Sequence, residues 1–223
     1  MKEEVLEKIR TEVIKAGLTL VQSGMTFGTY GNISQRVDGN IIAITPSGRV
    51  YERLTTEDIV VTNLEGLTIV GKLIPSSELP LHLEIYKKFP EARAVVHTHS
   101  IYASALAVAH KDLPPVIDDL AQIVGGSVRC TEYTAAGTKE LGEKAVEAME
   151  GGRNAALLAN HGAVCWGRSL QEALSTAQIL EKAAHIYCVA HSFGTQFPLN
   201  ENTVNALRDF YLNHYSKRQR GEE

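Results

Sequence analysis

Two histidines separated by a single residue, His97 and His99, are the clearest candidates for chemistry in this sequence. The segment around them, residues 93–100, is rich in β-branched side chains and predicts a short β-strand. Side chains in a strand alternate between its faces with a period of two, so both imidazoles would point the same way. In a helix the same spacing would turn them apart. The pair therefore supplies half of a metal site, with a structural or surface role as the alternative.

A third candidate ligand is His161, which follows the apolar run of residues 155–159 and stands between Asn160 and Gly162. A strand end beside a glycine is a common place from which to present a side chain into a cleft, although a plain turn residue would look the same. Three imidazoles with one open position are typical of a catalytic zinc site rather than a structural one. The remaining histidines lie on helical patterns and are expected to be surface or packing residues: His82, His110, His185, His191 and His214.

Glu78 is a candidate acid/base because it follows Pro75-Ser76-Ser77 at the start of a helical pattern. A carboxylate beside a metal can bind the ion or transfer a proton. Its simpler interpretation is an acid favourably placed in a first helical turn. Ser76 and Ser77 can cap that helix, or hold a phosphate with its free N–H groups. Turns at Gly31-Asn32 and Ser47-Gly48 are either ordinary turns or further anion-binding loops.

The elements that must position these residues are short strands and amphipathic helices. Turn signals such as Asp38-Gly39-Asn40 separate strands that are close in sequence, which favours hairpins and a mainly antiparallel sheet. No repeat, linker or change of composition divides the chain, so we expect one α/β domain over residues 1–223. The pattern predicts strands at residues 41–44, 59–62, 67–70, 128–130, 155–159 and 163–166, and helices at 3–22, 79–89, 102–110, 138–149, 169–191 and 202–214, with a polar tail after the last helix.

Composition excludes several classes of function. Hydrophobic residues make up 44% and charged residues 22% of the 223 positions, as in ordinary globular proteins. The formal net charge of −4 offers no basic face for nucleic acid or for an anionic membrane. No apolar run is long enough to span a bilayer, and the charged amino terminus does not resemble a secretory signal. Three widely spaced cysteines suit a reducing compartment, so we expect a cytoplasmic protein.

Five short motifs follow one another along nearly the whole chain: Gly31-Asn32-Ile33-Ser34, Thr45-Pro46-Ser47-Gly48, Pro75-Ser76-Ser77-Glu78, His97-Thr98-His99 and Asn160-His161-Gly162. In this series the chain resembles the class II aldolase/adducin family, and within it the L-fuculose-1-phosphate aldolase group. The resemblance implies a three-layer αβα sandwich around a mainly antiparallel sheet. It also implies a homotetramer with active sites at subunit interfaces, and a divalent metal, normally Zn²⁺, with Mn²⁺, Fe²⁺ and Co²⁺ as alternatives.

By position, the resemblance implies that His97, His99 and His161 bind the metal, with Glu78 beside it as ligand and acid/base. The implied reaction is cleavage of a 1-phosphoketose, L-fuculose 1-phosphate or a related deoxy-sugar phosphate, to dihydroxyacetone phosphate and an aldehyde through a metal-stabilised enediolate. The substrate phosphate would be held by Gly31, Asn32, Ser47, Gly48, Ser76 and Ser77.

The chain departs from the fuculose-phosphate aldolases at the aldehyde end. A tyrosine that the adjacent subunit contributes there is replaced by Asp118, next to Asp119. Asp118 is therefore a candidate acid or base, unless the two aspartates merely begin a short helix. An aromatic residue of the aldehyde pocket is replaced by Ala136. The C-terminal tyrosine that closes such sites has two candidates here, Tyr211 and Tyr215.

Other reactions on the same scaffold stay open at this point. They are those of a pentulose-5-phosphate 4-epimerase, a methylthioribulose-1-phosphate dehydratase or a sugar-acid decarboxylase. The epimerase carries aspartate where Glu78 stands, which favours an aldolase. A non-enzymatic adducin-like interaction domain is disfavoured, because such domains are expected to lack the metal histidines and all three are present here.

Overall fold

The computed structural model describes residues 3–222. This part of the chain contains eight strands and eight α-helices. The strands are β1 (Asn32–Asp38), β2 (Ile41–Ile44), β3 (Val60–Asn63), β4 (Thr68–Val70), β5 (Ala94–Thr98), β6 (Arg129–Cys130), β7 (Ala155–Leu158) and β8 (Gly162–Gly167). The helices are α1 (Glu3–Gln22), α2 (Leu79–Lys88), α3 (Ile101–Val108), α4 (Asp118–Val124), α5 (Lys139–Ala148), α6 (Leu170–Ala190), α7 (Glu201–Phe210) and α8 (Ser216–Arg220).

All eight strands form one sheet in the order β4-β3-β2-β1-β5-β8-β7-β6. Neighbours are antiparallel except for the short pairing of β6 with β7. The mainly antiparallel sheet expected from the hairpin signals is thus confirmed. The central strand β5 is buried over its whole length, between β1 and β8.

Helices cover both faces of the sheet, which gives the three-layer αβα arrangement. Alternation along β5 divides the core: Ala94 and Val96 pack with α1, α3, α4 and α6, whereas Val95 packs with α2 and α5. His97 continues the series of Val95, so its ring belongs on the α2 side of the sheet. Within residues 3–222, no helix combines the length and hydropathy that crossing a bilayer requires.

Two local predictions were wrong. Neither Ser76 nor Ser77 caps α2; Glu78 stands at the N-cap position without a side-chain cap, and the Ser76 hydroxyl instead accepts a hydrogen bond from the Glu78 N–H at 3.2 Å. Pro80 lies in the first turn, and because proline lacks an N–H it removes a donor that a capping side chain would need.

The second error concerns the end of the chain. The residues after His214 are polar, as expected, but they stay helical: a π-helical turn over Tyr211–Tyr215 continues α7 into α8. Arg208 anchors this segment, since its guanidinium donates to the Gln122 and Ile123 carbonyls at the end of α4. Tertiary contact of this kind stabilises a helix whose local pattern has weakened.

Gly162 shows how tightly the sheet centre is packed. A Cβ placed at Gly162 would lie 2.2 Å from the Thr98 carbonyl oxygen on β5, so the strands can approach this closely only with glycine here. Asn160, two residues before Gly162, has a φ of 56°, a left-handed conformation that asparagine tolerates. Together these residues make the tight turn that carries His161 next to β5.

We therefore expect Gly162→Ala to lower the free energy of unfolding by about 3 kcal/mol, the upper end of overpacking costs, since backbone cannot swing aside as a side chain can. Gly24→Ala is the control, because nothing lies within 4 Å of the added methyl and only its left-handed backbone, about 1 kcal/mol, opposes the change. Urea denaturation measures both. Equal losses would contradict the close approach at Gly162.

Candidate metal centre and active site

His97 and His99 enter the site from the centre of the sheet. His97 is fully buried and lies opposite Asn32 of β1 and Val164 of β8. His99 follows directly after β5, and its Nε2 lies 2.9 Å from the Nε2 of His97. The strand geometry predicted for this pair, with both imidazoles on one face, is what the structure shows.

His161 joins them from the β7–β8 turn. Its ring centroid lies 4.7 Å from that of His97 and 4.9 Å from that of His99. Residues that are more than 60 positions apart in sequence therefore face one another edge to face. The sequence placed His161 at a strand end, but only the antiparallel pairing of β8 with β5 brings it beside the other two.

Glu78 completes the cluster from the start of α2. Its carboxylate oxygens lie 2.9 Å from the Nε2 of His97 and 3.2 Å from the Nε2 of His161. Asn32 donates a hydrogen bond from Nδ2 to the Oε2 of Glu78 at 2.8 Å. One donor atom from each of Glu78, His97, His99 and His161 falls within 4.8 Å of all the others.

The hydrogen bonds around the cluster leave electron pairs facing one another. The Nδ1 of His97 lies 2.9 Å from the Ala163 carbonyl, which can only accept, so this nitrogen carries the proton. The Nε2 of His97 faces Glu78 and His99, each at 2.9 Å. Among residues 3–222, the Oε1 of Glu78 and the Nδ1 of His161 are buried without a hydrogen-bond partner. Such a set of donors fits a divalent cation, which would turn the mutual repulsion into attraction.

The electrostatics give these groups the protonation state that a metal needs. Burial, followed by the nearby His97, lowers the pKa of His99 to about 3 and that of His161 to about 4. Burial raises the pKa of Glu78, but His97, His161 and the Asn32 hydrogen bond outweigh it and hold that pKa well below its usual range. At neutral pH His99 and His161 are therefore neutral and the carboxylate is ionised, as ligands must be.

Polar loops border the cluster of Glu78, His97, His99 and His161 on its open side. An isolated β-bridge pairs Pro46 with Pro75, and the Ser76 N–H donates to the Thr45 carbonyl at 3.0 Å. This bridge holds the two serine-containing loops side by side. They open onto a cavity of about 340 Å³ lined by Thr29, Tyr30, Gly31, Asn32, Pro46, Ser47, Gly48, Ser76, Ser77, Glu78, His99, Ala136 and His161. All six residues predicted to hold a phosphate are in this lining.

The structure does not bring every candidate to the cavity. Asp118 is exposed at the first position of α4. It is not one of the described residues that line the cavity. Tyr211 is buried elsewhere, with its hydroxyl 3.2 Å from Glu172. Tyr215 borders a different groove, near α4 and α6.

Sequence reasoning missed two residues. Tyr30 lines the cavity, and its exposed ring stands 5.4 Å from that of His99. His82, expected to be a surface or packing residue, is fully buried and bonds to Asn32 through Nε2 at 2.6 Å. The signal for His82 was its spacing from Glu78, because residues four apart share one helix face.

A family model described as the class II aldolase and adducin N-terminal domain matches residues 11–188. The chain belongs to this family. It is 40% identical over 205 residues to a 5-deoxy-D-ribulose 1-phosphate aldolase of Bacillus thuringiensis serovar kurstaki, an alignment that covers 91% of this chain and 95% of the relative. It is also 35% identical to an L-fuculose phosphate aldolase of Escherichia coli strain K12, over 81% of this chain and 82% of that one.

Solved structures agree with these relatives. An L-fuculose 1-phosphate aldolase superposes with a TM-score of 0.88 at 36% identity, covering 92% of this chain and 96% of the other. This class II aldolase domain therefore has both the fold and the relatives of the metal-dependent aldehyde-lyases.

We expect His97→Ala to weaken metal binding by more than about 100-fold, since losing even an outer-shell partner of a ligand costs about 10- to 100-fold. Metal content after dialysis and competition with a chromogenic chelator measure the effect. The control is His185→Ala, which removes an imidazole stacked on Tyr102 outside the cluster. Full metal occupancy in His97→Ala would show that the cluster is not the metal site.

Proposed function

We propose that this protein cleaves a 1-phosphoketose between C3 and C4 to give dihydroxyacetone phosphate and an aldehyde. The observation that supports this most is the position of Glu78, which belongs to the cluster with three imidazoles and also lines the cavity of the two polar loops. A metal-dependent aldolase requires metal ligands, an acid/base and an anion site, all close enough for one sugar phosphate to reach them.

The proposed substrate is a deoxy-sugar 1-phosphate. The Bacillus relative is named for 5-deoxy-D-ribulose 1-phosphate and the E. coli relative for L-fuculose phosphate. Both names describe ketose phosphates whose terminal carbon lacks a hydroxyl, so the aldehyde released from either would end in a methyl group. We infer a substrate of this type, with 5-deoxy-D-ribulose 1-phosphate and L-fuculose 1-phosphate as the first to test.

The phosphate would bind at the start of α2. Among the described residues, no acceptor meets the backbone N–H groups of Gly48 and Ser77, which lie at the cavity wall. The N-terminal end of a helix attracts anions through such free N–H groups and through its dipole. Hydroxyl and amide donors complete the proposed phosphate site, which comprises Gly31, Asn32, Ser47, Gly48, Ser76 and Ser77.

The proposed metal ligands are His97, His99 and His161, with Glu78 as a fourth. Three imidazoles and a carboxylate suit Zn²⁺, which we propose as the native ion, although Mn²⁺, Fe²⁺ and Co²⁺ accept the same ligand types. When bound, the ion supplies Lewis acidity for the carbonyl and the adjacent hydroxyl of the ketose.

Glu78 is proposed to move the proton at C3. Cleavage removes the proton of the C4 hydroxyl, breaks the C3–C4 bond and leaves its electron pair on the dihydroxyacetone phosphate part. In synthesis the ionised Glu78 removes a proton from C3, and in cleavage it passes to C3 a proton that it takes from solvent, while the C4 hydroxyl proton leaves to a separate base. The phosphate loops keep C3 beside this carboxylate, so binding energy from a remote group is used for orientation.

The acid/base at the aldehyde end is proposed to come from a neighbouring subunit. Asp118 is exposed and absent from the lining of the cavity of its own chain, at least among the described residues. A homotetramer with sites at subunit interfaces would allow Asp118 of one protomer to reach the aldehyde end of the next site. We propose this assembly, in the cytoplasm, with Asp118 receiving the proton of the C4 hydroxyl during cleavage.

We expect the metal-loaded protein to release dihydroxyacetone phosphate from at least one of the two deoxy-sugar phosphates, and chelation to abolish the release. Glu78→Gln should lower kcat by about 10²- to 10⁴-fold, the usual contribution of general acid/base catalysis. Coupling to glycerol-phosphate dehydrogenase reports the product. Glu84→Gln is the matched control on the same helix, where the carboxylate pairs with Lys87.

Two outcomes would contradict the proposal. Full activity in Glu78→Gln would remove this residue from the reaction. Bound metal without release of dihydroxyacetone phosphate from either sugar would move the reaction to epimerisation, dehydration or decarboxylation on the same scaffold.

A further inference from the structure

A chain of buried polar side chains runs from the metal cluster into the core between β1 and α2. Asn32 and Ser34 are two residues apart on β1, so their side chains lie on the same face. On α2, His82 and Tyr86 are four residues apart and lie on the same helix face as Glu78. The four side chains of this hydrogen-bonded series are all buried: Asn32, Ser34, His82 and Tyr86. The helix and strand interlock here through polar atoms rather than apolar ones.

Each contact in this series lies within normal hydrogen-bond distance. The Ser34 hydroxyl lies 2.9 Å from the Tyr86 hydroxyl and 2.6 Å from the Nδ1 of His82. The Nε2 of His82 lies 2.6 Å from the Oδ1 of Asn32, whose Nδ2 in turn lies 2.8 Å from the Oε2 of Glu78. The series is continuous from Tyr86 to the carboxylate.

The carboxylate at one end gives the whole series a single direction. Ionised Glu78 can only accept, so Asn32 must present its NH₂ group to Glu78 and its oxygen to His82. That oxygen can only accept, so His82 must carry its proton on Nε2. The unprotonated Nδ1 then accepts from the Ser34 hydroxyl, whose oxygen accepts from Tyr86. Reversing any one bond would leave two acceptors or two donors face to face.

We propose that His82 is a positioning residue of the active site, which fixes the amide of Asn32 and through it the carboxylate of Glu78. The inference rests on the proposed role of Glu78 in the reaction. A rotated Asn32 would direct its oxygen at the carboxylate, so that two acceptors would face each other. His82 opposes this rotation because its Nε2–H bonds to the Asn32 oxygen, while its Nδ1 accepts from the Ser34 hydroxyl.

A purely structural role would not require this arrangement. The α2 side of the sheet is otherwise filled by apolar contacts such as those of Leu81, Ile85 and Val95. Burying a run of polar groups brings little net stability compared with apolar residues of similar volume. The chain ends on the carboxylate of the metal cluster, where the orientation of a single amide matters for ligand binding. Outer hydrogen-bond partners of metal ligands commonly act in this way.

The first test is the tautomer of His82 in the metal-free wild-type protein. Long-range ¹H–¹⁵N correlation spectra of histidine-labelled protein distinguish the two ring nitrogens, and His82→Gln assigns the signal. We expect the Nε2–H form at pH 7 to 8. A proton on Nδ1 would overturn the inference. This measurement needs neither metal nor substrate, so it decides the inference even if the protein releases no dihydroxyacetone phosphate.

The second test compares two amide replacements. The amide nitrogen of glutamine reaches the place of Nε2, whereas that of asparagine reaches the place of Nδ1. We expect His82→Gln to keep the Co²⁺ dissociation constant and kcat within about 3-fold of wild type, and His82→Asn to lose about 10- to 100-fold in one or both. Co²⁺ absorption titrations and the coupled assay measure these values.

Ile85→Val is the control, since it removes one methylene from a fully buried side chain on the same helix without touching the polar chain. Thermal unfolding of all three variants accompanies the titrations. Equal Co²⁺ affinity and kcat in His82→Gln and His82→Asn would overturn the positioning role, as would losses in Ile85→Val as large as those in His82→Asn.

Discussion

Electron-pair donors crowded around the Glu78 carboxylate impose the central constraint on this structure. Lone pairs of imidazole and carboxylate repel one another, and donor atoms of four residues lie within 4.8 Å. Such a cluster persists only if rigid elements hold it, or if a cation occupies it. Here the donor groups come from the end of a fully buried central strand, a tight hairpin turn and a helix start, all of which are fixed by the sheet. The fold therefore holds the donor atoms in place before any metal ion binds, and a bound ion would stabilise them through its positive charge.

The same helix start serves two purposes on opposite sides of one carboxylate. On the core side, Glu78 receives a hydrogen bond from Asn32 and contacts His97. On the open side, Ser77 and Gly48 line the cavity. Pro80 and the β-bridge between Pro46 and Pro75 hold this end of α2 without a side-chain cap. The Ser76 oxygen accepts from the Glu78 N–H but keeps its own proton to donate, so both serine hydroxyls can donate to a ligand.

Much of this site could be predicted from the sequence because short-range periodicity determines it. A strand places residues two apart on one face, which made His97 and His99 a pair, and collinear turn motifs indicated the polar loops. What could not be predicted depends on contacts between distant segments. The position of Asp118 relative to a site cannot follow from its own helix, since the resemblance assigns it to another subunit. The C-terminal helix was predicted too short because Arg208 stabilises it through carbonyls more than 80 residues away.

His82 is the most instructive case, since local pattern and function pointed to different conclusions. On a helical wheel it falls on the buried side with Glu78 and Tyr86, and a buried histidine on an apolar face is usually a packing residue. The role of His82 becomes visible only from its contacts with β1. There Asn32 and Ser34 connect three polar residues of the helix into one directed series of hydrogen bonds. A histidine is suited to this place because its two nitrogens, one donor and one acceptor, pass the direction of hydrogen bonding across the ring. His82 thus acts on the Asn32 amide through the direction of a hydrogen bond rather than through charge, and an apolar side chain of the same volume would fill the space without holding that amide.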